Sequence, residues 1–289
     1  MRFPVIKNLV VMLTRNDLDS FLSKPWGQEL KDEGERFIPG FQFHTCEDPM
    51  GELIATFDEA EASGKASKWV MERTPVDDPG LSDEQVAAGK ESIHCLIERT
   101  HVREAKTILD WPTGNGGFLS QMVQVTNPDA LVVSLDVNLR TLARHRPYYE
   151  KLGVADRMVC VVADARNMPF RDDSFDSVTS WGGLVEIENP DVGLRETYRV
   201  LRSGGWFGIS GDQYREGSPS MEIAERIGMR SLATTSRLES VLASNEYREL
   251  TYDVVYEGYD IDLDTPDDMR CPLPARGDWF QIVVGAGRK

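Results

Sequence analysis

A chain of 289 residues, 40% hydrophobic and 28% charged, is long enough to bury a substantial core and has the composition of a folded globular protein. A formal charge of −16 repels phosphate backbones at long range, which argues against a nucleic-acid partner. No apolar run reaches the length of a bilayer, so no membrane partner is expected, and four scattered cysteines point to reduced thiols in a cytoplasmic setting. His44 with Cys46, and His94 with Cys95, lack the second pair that zinc spacing demands, so no metal is expected.

Taken in chain order, residues 1–103 form an irregular N-terminal extension punctuated by prolines. Leu9 to Leu13 is too short for a signal peptide and reads as a strand or a packed helical turn. Ser82 and Gln85 make a capping box, and Val86, Ile93 and Ile97 then recur on one helical face up to Thr100. Two roles stay open for this extension: a lid over a site, or a helical cover for one face of a sheet. From residue 104 to 289 the pattern is that of a single domain. Strands are expected at 107–111, 131–135, 158–163, 175–181 and 206–210. Helices are expected at 117–125, at 139–152 with an interruption at Pro147, and from Asn189-Pro190 to Arg202, stopped by Gly204-Gly205. Strands and helices in regular alternation specify a mostly parallel sheet with helices on both faces. The ending differs: a helix at 236–244, a strand near 249–256, a charged loop and a closing strand at 279–285.

Three strand ends carry the candidate chemistry. The first, Asp110-Trp111-Pro112-Thr113-Gly114-Asn115-Gly116, is an acid followed by a tight glycine turn and a helix start, which lets backbone approach a ligand closely. Such turns also serve nicotinamide and flavin enzymes. The second strand ends in Asp136, followed by Val137, where a carboxylate can accept the hydroxyls of a ribose or can simply cap the next helix. The third leads to Asp164-Ala165, placed either to accept from an adenine amino group or to face solvent in a turn.

With the later runs 173–178 and 199–205, these segments resemble the S-adenosylmethionine-dependent methyltransferases of the Rossmann-like class, closest to the group of the ubiquinone and menaquinone biosynthesis methyltransferases. The resemblance is close over 104–211 and loose over 236–289. It implies a seven-stranded sheet whose last strand is antiparallel and lies beside the fifth. It also implies S-adenosylmethionine as cofactor, with Asp110, Gly114 and Gly116 at its methionine part, Asp136 at the ribose, and Asp164 and Ala165 at the adenine. The segment from Ser180 and Trp181 to Gly183 would lie beside the sulfonium and the acceptor. Pro112 stands where the family usually has glycine; it fixes φ and removes an N–H but leaves a carbonyl.

In-line methyl displacement needs positioning and water exclusion more than a protein nucleophile. Glu186, Glu188, Asp212 and Tyr214 stand at strand ends where a base is useful, and each reads equally as a surface or helix-start residue. No catalytic residue is assigned. Seven acidic residues and no basic one between Asp253 and Asp268 point to a small neutral or cationic acceptor, or merely to a solvated loop. Two other functions stay open. One is a non-catalytic subunit that keeps the fold and binds the cofactor or a partner. The other is a nicotinamide oxidoreductase, disfavoured because Leu119 replaces the third glycine of its fingerprint.

Overall fold

The computed structural model describes residues 5–6, 9–11, 83–114, 116–137, 142, 145, 149–184, 187, 190–226, 232–260 and 273–289. All of them belong to one compact unit, Met1–Met12 with Thr74–Lys289. Its strands are β1 Val5–Ile6, β2 Leu9–Val11, β3 Thr107–Asp110, β4 Leu131–Asp136, β5 Met158–Val162, β6 Phe175–Trp181, β7 Leu201–Tyr214, β8 Arg248–Tyr259 and β9 Trp279–Arg288. They form one sheet in the order β1-β2-β5-β4-β3-β6-β7-β9-β8.

Seven of these strands, β5-β4-β3-β6-β7-β9-β8, reproduce the Rossmann-like arrangement expected from the sequence. β3 to β7 pair in parallel, and β9 runs antiparallel between β7 and β8. β3 and β6 are neighbours although two strands separate them in the chain, so the order of crossovers reverses between them. That reversal leaves a crevice at the carboxyl ends of the strands, where open α/β sheets bind ligands.

The sheet is wider than the expected seven strands, and the two further strands come from the N-terminal extension. β2 adds in parallel to the edge of β5, with Val10 opposite Val161, and β1 folds back on β2. An uncovered strand edge offers a row of unpaired N–H and C=O groups, and the apolar run at Leu9 to Val11 takes that edge at its backbone. The helix α1 (Asp83–Arg99) also packs on the sheet. A Cβ on Gly208 of β7 would meet Thr100 and would stand 2.7 Å from Leu96 Cδ1. Arg99 closes the same contact with two hydrogen bonds to Asp253 on β8 (2.7 and 2.6 Å). Ser82 and the rest of the extension, 12–82, lie outside the described residues. Among the described residues no helix is long and apolar enough to cross a membrane.

The opposite face carries α3 (Pro190–Val200), while α2 (Gly117–Met122) follows β3, and α5 (Thr235–Ser244) precedes β8. Leu142, His145 and Tyr149 are buried helical positions within the expected 139–152 run. Leu109, Leu135, Val161, Val178, Phe207 and Ile209 form one core with Trp111, the largest fully buried side chain. Continuous burial along β3 and β4 is what a strand covered on both faces requires. Trp111 lies so close beneath α3 that a Cβ on Gly193 would stand 2.7 Å from its Cη2. Gly193→Ala pits a helix-propensity gain of up to about 1 kcal/mol against overpacking of a rigid ring, typically about 1–3 kcal/mol. The clash wins, so chemical denaturation is expected to show net destabilisation. A variant more stable than wild type would mean that α3 rides away from the ring freely.

Three expectations at the C-terminal side need correction. Gly204-Gly205 does not stop the helix: α3 ends at Val200, and β7 begins at Leu201 opposite Phe175. The glycines lie inside β7, where the Gly204 N–H donates to the Lys289 carbonyl and the Lys289 N–H to that of Gly205. A further helix, α4 (Pro219–Arg226), follows β7 and buries Met221 against Tyr214, Leu273 and Phe280. Finally, Asp253 and Glu257 belong to β8 rather than to the acidic loop, and Asp253 is already paired with Arg99. The chain leaves β8 at Tyr259 and enters β9 opposite Tyr214, so both ends of that connection stand at the carboxyl edge of the sheet.

Candidate functional site

The carboxyl ends of β3, β4 and β5 bring the predicted acids to one edge. Asp110 ends β3, and its carboxylate is almost wholly enclosed. The hydroxyl of Thr179, opposite on β6, donates to it at 2.9 Å. Burial pushes the Asp110 carboxyl up to about 7, although hydrogen bonds from Thr179 and Thr113 pull the other way and Asp136 adds a further upward push. No cation accompanies it among the described residues.

The turn after Asp110 is pinned from several sides. Thr113 donates its N–H to Leu135 (3.0 Å) and its hydroxyl to the Asp110 carbonyl (2.8 Å). Gly114 and Gly116 both have positive φ, +53° and +79°, so L side chains are disfavoured at each. At Gly116 the reason is also steric, since a Cβ would stand 2.8 Å from Nε2 of the buried His145. At Gly114 the space is open, which leaves backbone accessible to a ligand. Pro112 occupies the other flank, where a Cβ on Gly183 would lie 2.6 Å from its ring. Asp136, at the end of β4, accepts the Gly114 N–H at 2.8 Å, tying the glycine turn to the second strand. Val137 follows it, half-buried.

Asp164 caps the short turn after β5. It accepts the Arg166 N–H at 2.8 Å in a short turn, and the Arg166 guanidinium closes back on it at 2.6 Å. In all, the Arg166 N–H, Nε and Nη2 make four hydrogen bonds that engage both carboxylate oxygens. Ala165 beside it is buried. Ser180 is fully buried, with no hydrogen-bond partner for its hydroxyl among the described residues. Trp181 turns to the other face, where its indole N–H donates to Ser92 of α1 at 2.9 Å. Glu186 and Glu188 lie outside the described residues.

Sequence reasoning missed Thr179, Arg166, Ser92 and His145. Arg166 was within reach of it, because an Asp two residues before a basic side chain is a local turn pattern. The other three become neighbours only through strand register and helix packing.

Compared with known proteins, the methyltransferase domain family matches residues 109–209, the stretch that holds every contact just described except those of Ser92. Residues 109–209 are thus similar to a methyltransferase domain, carried on a Rossmann-like sheet. The ubiquinone/menaquinone biosynthesis C-methyltransferase UbiE of Escherichia coli is 33% identical to this domain over 109 residues, which are 38% of this chain and 43% of that protein. The chain thus spans less than half the length of the curated relatives it matches. Among solved structures, phosphoethanolamine N-methyltransferase 2 of Haemonchus contortus, in complex with S-adenosyl-L-methionine, superposes with a TM-score of 0.55 and 17% identity, over 80% of this chain and 59% of that one. The [4+2]-cyclase SpnF superposes with a TM-score of 0.52 and 17% identity, over 74% and 85%. These two likenesses place the domain in its fold and go no further.

Proposed function

We propose that the chain is an S-adenosylmethionine-dependent methyltransferase that acts on a small neutral or cationic acceptor. The observation that carries this reading is the convergence of Asp110, Asp136, Asp164 and the Gly114–Gly116 turn at the carboxyl ends of three adjacent parallel strands. The residues present fit the cofactor. A buried carboxyl without a cation, Asp110, suits the ligand's ammonium group, and the open backbone at Gly114 suits a close approach. When bound, the cofactor supplies an electrophilic methyl group on a sulfonium.

The chain's own part is then binding, orientation and exclusion of water. Asp110 holds the amino-acid end and Asp136 the ribose. Asp164 and Ala165 receive the adenine, while Ser180 and Trp181 flank the reacting side. The oxidoreductase alternative loses further ground, because Leu119 is fully buried in α2 and takes up the place of close glycine packing. A non-catalytic role for the same fold is separated by turnover: S-adenosylhomocysteine should accumulate when cell extract is added.

Asp136→Ala tests the placement. Removing charge-assisted hydrogen bonds worth roughly 1.5–3 kcal/mol each should raise the Kd for S-adenosylhomocysteine about tenfold or more. Because Asp136 also holds the Gly114 N–H, Asp136→Asn is the sharper variant. Its amide oxygen can keep that bond, but its NH2 cannot accept from a ribose hydroxyl. Isothermal titration showing wild-type affinity in both variants would remove the ribose assignment.

A further inference from the structure

Asp212 is the residue on the sheet whose surroundings the cofactor site does not explain. It lies near the end of β7, opposite Ile282 of β9, with Ser210 and Tyr214 as its neighbours along the same face. Ser210 and Tyr214 are both buried, at 3% and 4% exposure, and Asp212 between them is half-buried. Among the described residues its carboxylate has no hydrogen bond and no ion pair. The cations that flank this end of the sheet are engaged elsewhere. Arg99 is held by Asp253 and Arg237 by Glu216, while Arg215 lies over the Trp279 ring at 4.1 Å. Burial pushes the Asp212 carboxyl up to about 6, which leaves it charged at neutral pH but at a cost.

The register fixes what stands beside it. Trp181 of β6 pairs with Ser210, so Trp181 is the diagonal neighbour of Asp212 on the face covered by α1, within reach of a large side chain. The indole N–H of Trp181 is committed to Ser92 and its side chain is half-buried. A carboxylate with no partner among the described residues, set diagonally to an aromatic side chain on the neighbouring strand, is a pairing suited to an organic cation: the acid supplies charge and the ring supplies its negative face. A neutral ligand gains nothing from the charge, and an anion is repelled by it.

We propose that Asp212 and Trp181 form the acceptor-side subsite, and that this subsite takes the ammonium group of a cationic amine. This deepens the methyltransferase reading above and rests on it. The arrangement also assigns a role to α1, which closes the sheet face over the subsite and holds Trp181 in place through Ser92.

The test is a titration of the whole chain in two stages. S-adenosylhomocysteine is titrated first, into wild type, Asp212→Asn and Trp181→Phe. The benzyltrimethylammonium ion, which presents a fixed positive charge and no transferable proton, is then titrated into each saturated protein, with benzoate as the anionic counterpart. The expected result is ammonium binding to wild type, about tenfold or greater weakening in Asp212→Asn, a smaller loss in Trp181→Phe, no benzoate binding, and equal affinity of wild type and Asp212→Asn for S-adenosylhomocysteine. Wild type that fails to bind S-adenosylhomocysteine overturns the methyltransferase reading itself. Wild type that binds it but not the ammonium ion overturns only the subsite, as does equal ammonium affinity in Asp212→Asn. If Asp212→Asn also loses S-adenosylhomocysteine, the residue acts on the cofactor side and the acceptor assignment falls.

Discussion

Asp110→Asn is expected to make the ligand-free protein more stable above pH 7 while weakening S-adenosylhomocysteine binding about tenfold or more. The sign follows from the direction in which burial moves the carboxyl. An unfolded aspartate titrates near 3.9, whereas Asp110 in the folded chain is pushed up to about 7. Between those values the folded state keeps a proton that the unfolded state has lost. The stability contributed by the neutral acid is therefore complete below about pH 4 and declines by roughly 1.4 kcal/mol per pH unit as pH rises to about 7. Asparagine has nothing to ionise. Its advantage should be absent near pH 4 and full above pH 7. Ligand binding has the opposite sense, because an ammonium group favours the carboxylate; wild-type affinity should fall as pH drops below about 7, and that of the variant should stay flat. Melting curves from pH 4 to 8.5, with titrations at three pH values, check both halves. Parallel stability profiles for the two proteins would show that the buried charge is compensated.

Trp111→Ala should be the most destabilising single truncation in the domain, about 3–5 kcal/mol, since it empties the largest fully buried side chain. Trp111→Phe should cost less than about 1.5 kcal/mol. The indole N–H has no hydrogen-bond partner among the described residues, so phenylalanine forfeits volume but no bond. The same ring supports the turn that follows it, so the alanine variant should also bind S-adenosylhomocysteine poorly whereas phenylalanine binds it normally. Urea titration provides the comparison. Equal costs for the two variants would mean that a water or another group satisfies the indole.

Much of the sheet was readable because period and punctuation agreed. Phe175–Trp181 was bounded correctly, and β3 to β5 within a residue or so, since apolar runs there meet turn residues at both ends. The C-terminal boundary of α3 failed for a specific reason. Glycine pairs end helices often, but here Leu201 had already found Phe175, and pairing across strands outranked the local signal. Site residues at strand ends were legible because topology alone carries them to the carboxyl edge. Their partners were not. Thr179 faces Asp110 only once β3 and β6 are in register, and Ser92 meets Trp181 only once α1 has docked. The run around Asp176 illustrates the converse: it helped to mark the family, yet its role is structural. One Asp176 oxygen accepts the N–H groups of Lys106 and Thr107 and the other pairs with Arg202, and despite desolvation these contacts hold its carboxyl below the usual range.

The parallel pairing of β2 with β5 has a consequence for how the chain is made. Val10 meets Val161, so the strand that takes up one edge is synthesised about 150 residues before the surface it pairs with. At roughly 5–20 residues per second, Leu9 to Val11 spend on the order of 10–30 s outside the ribosome before their partner exists. During that interval an apolar extended segment has to be shielded by chaperones or by transient local contacts, and its docking waits on the closure of a very long loop.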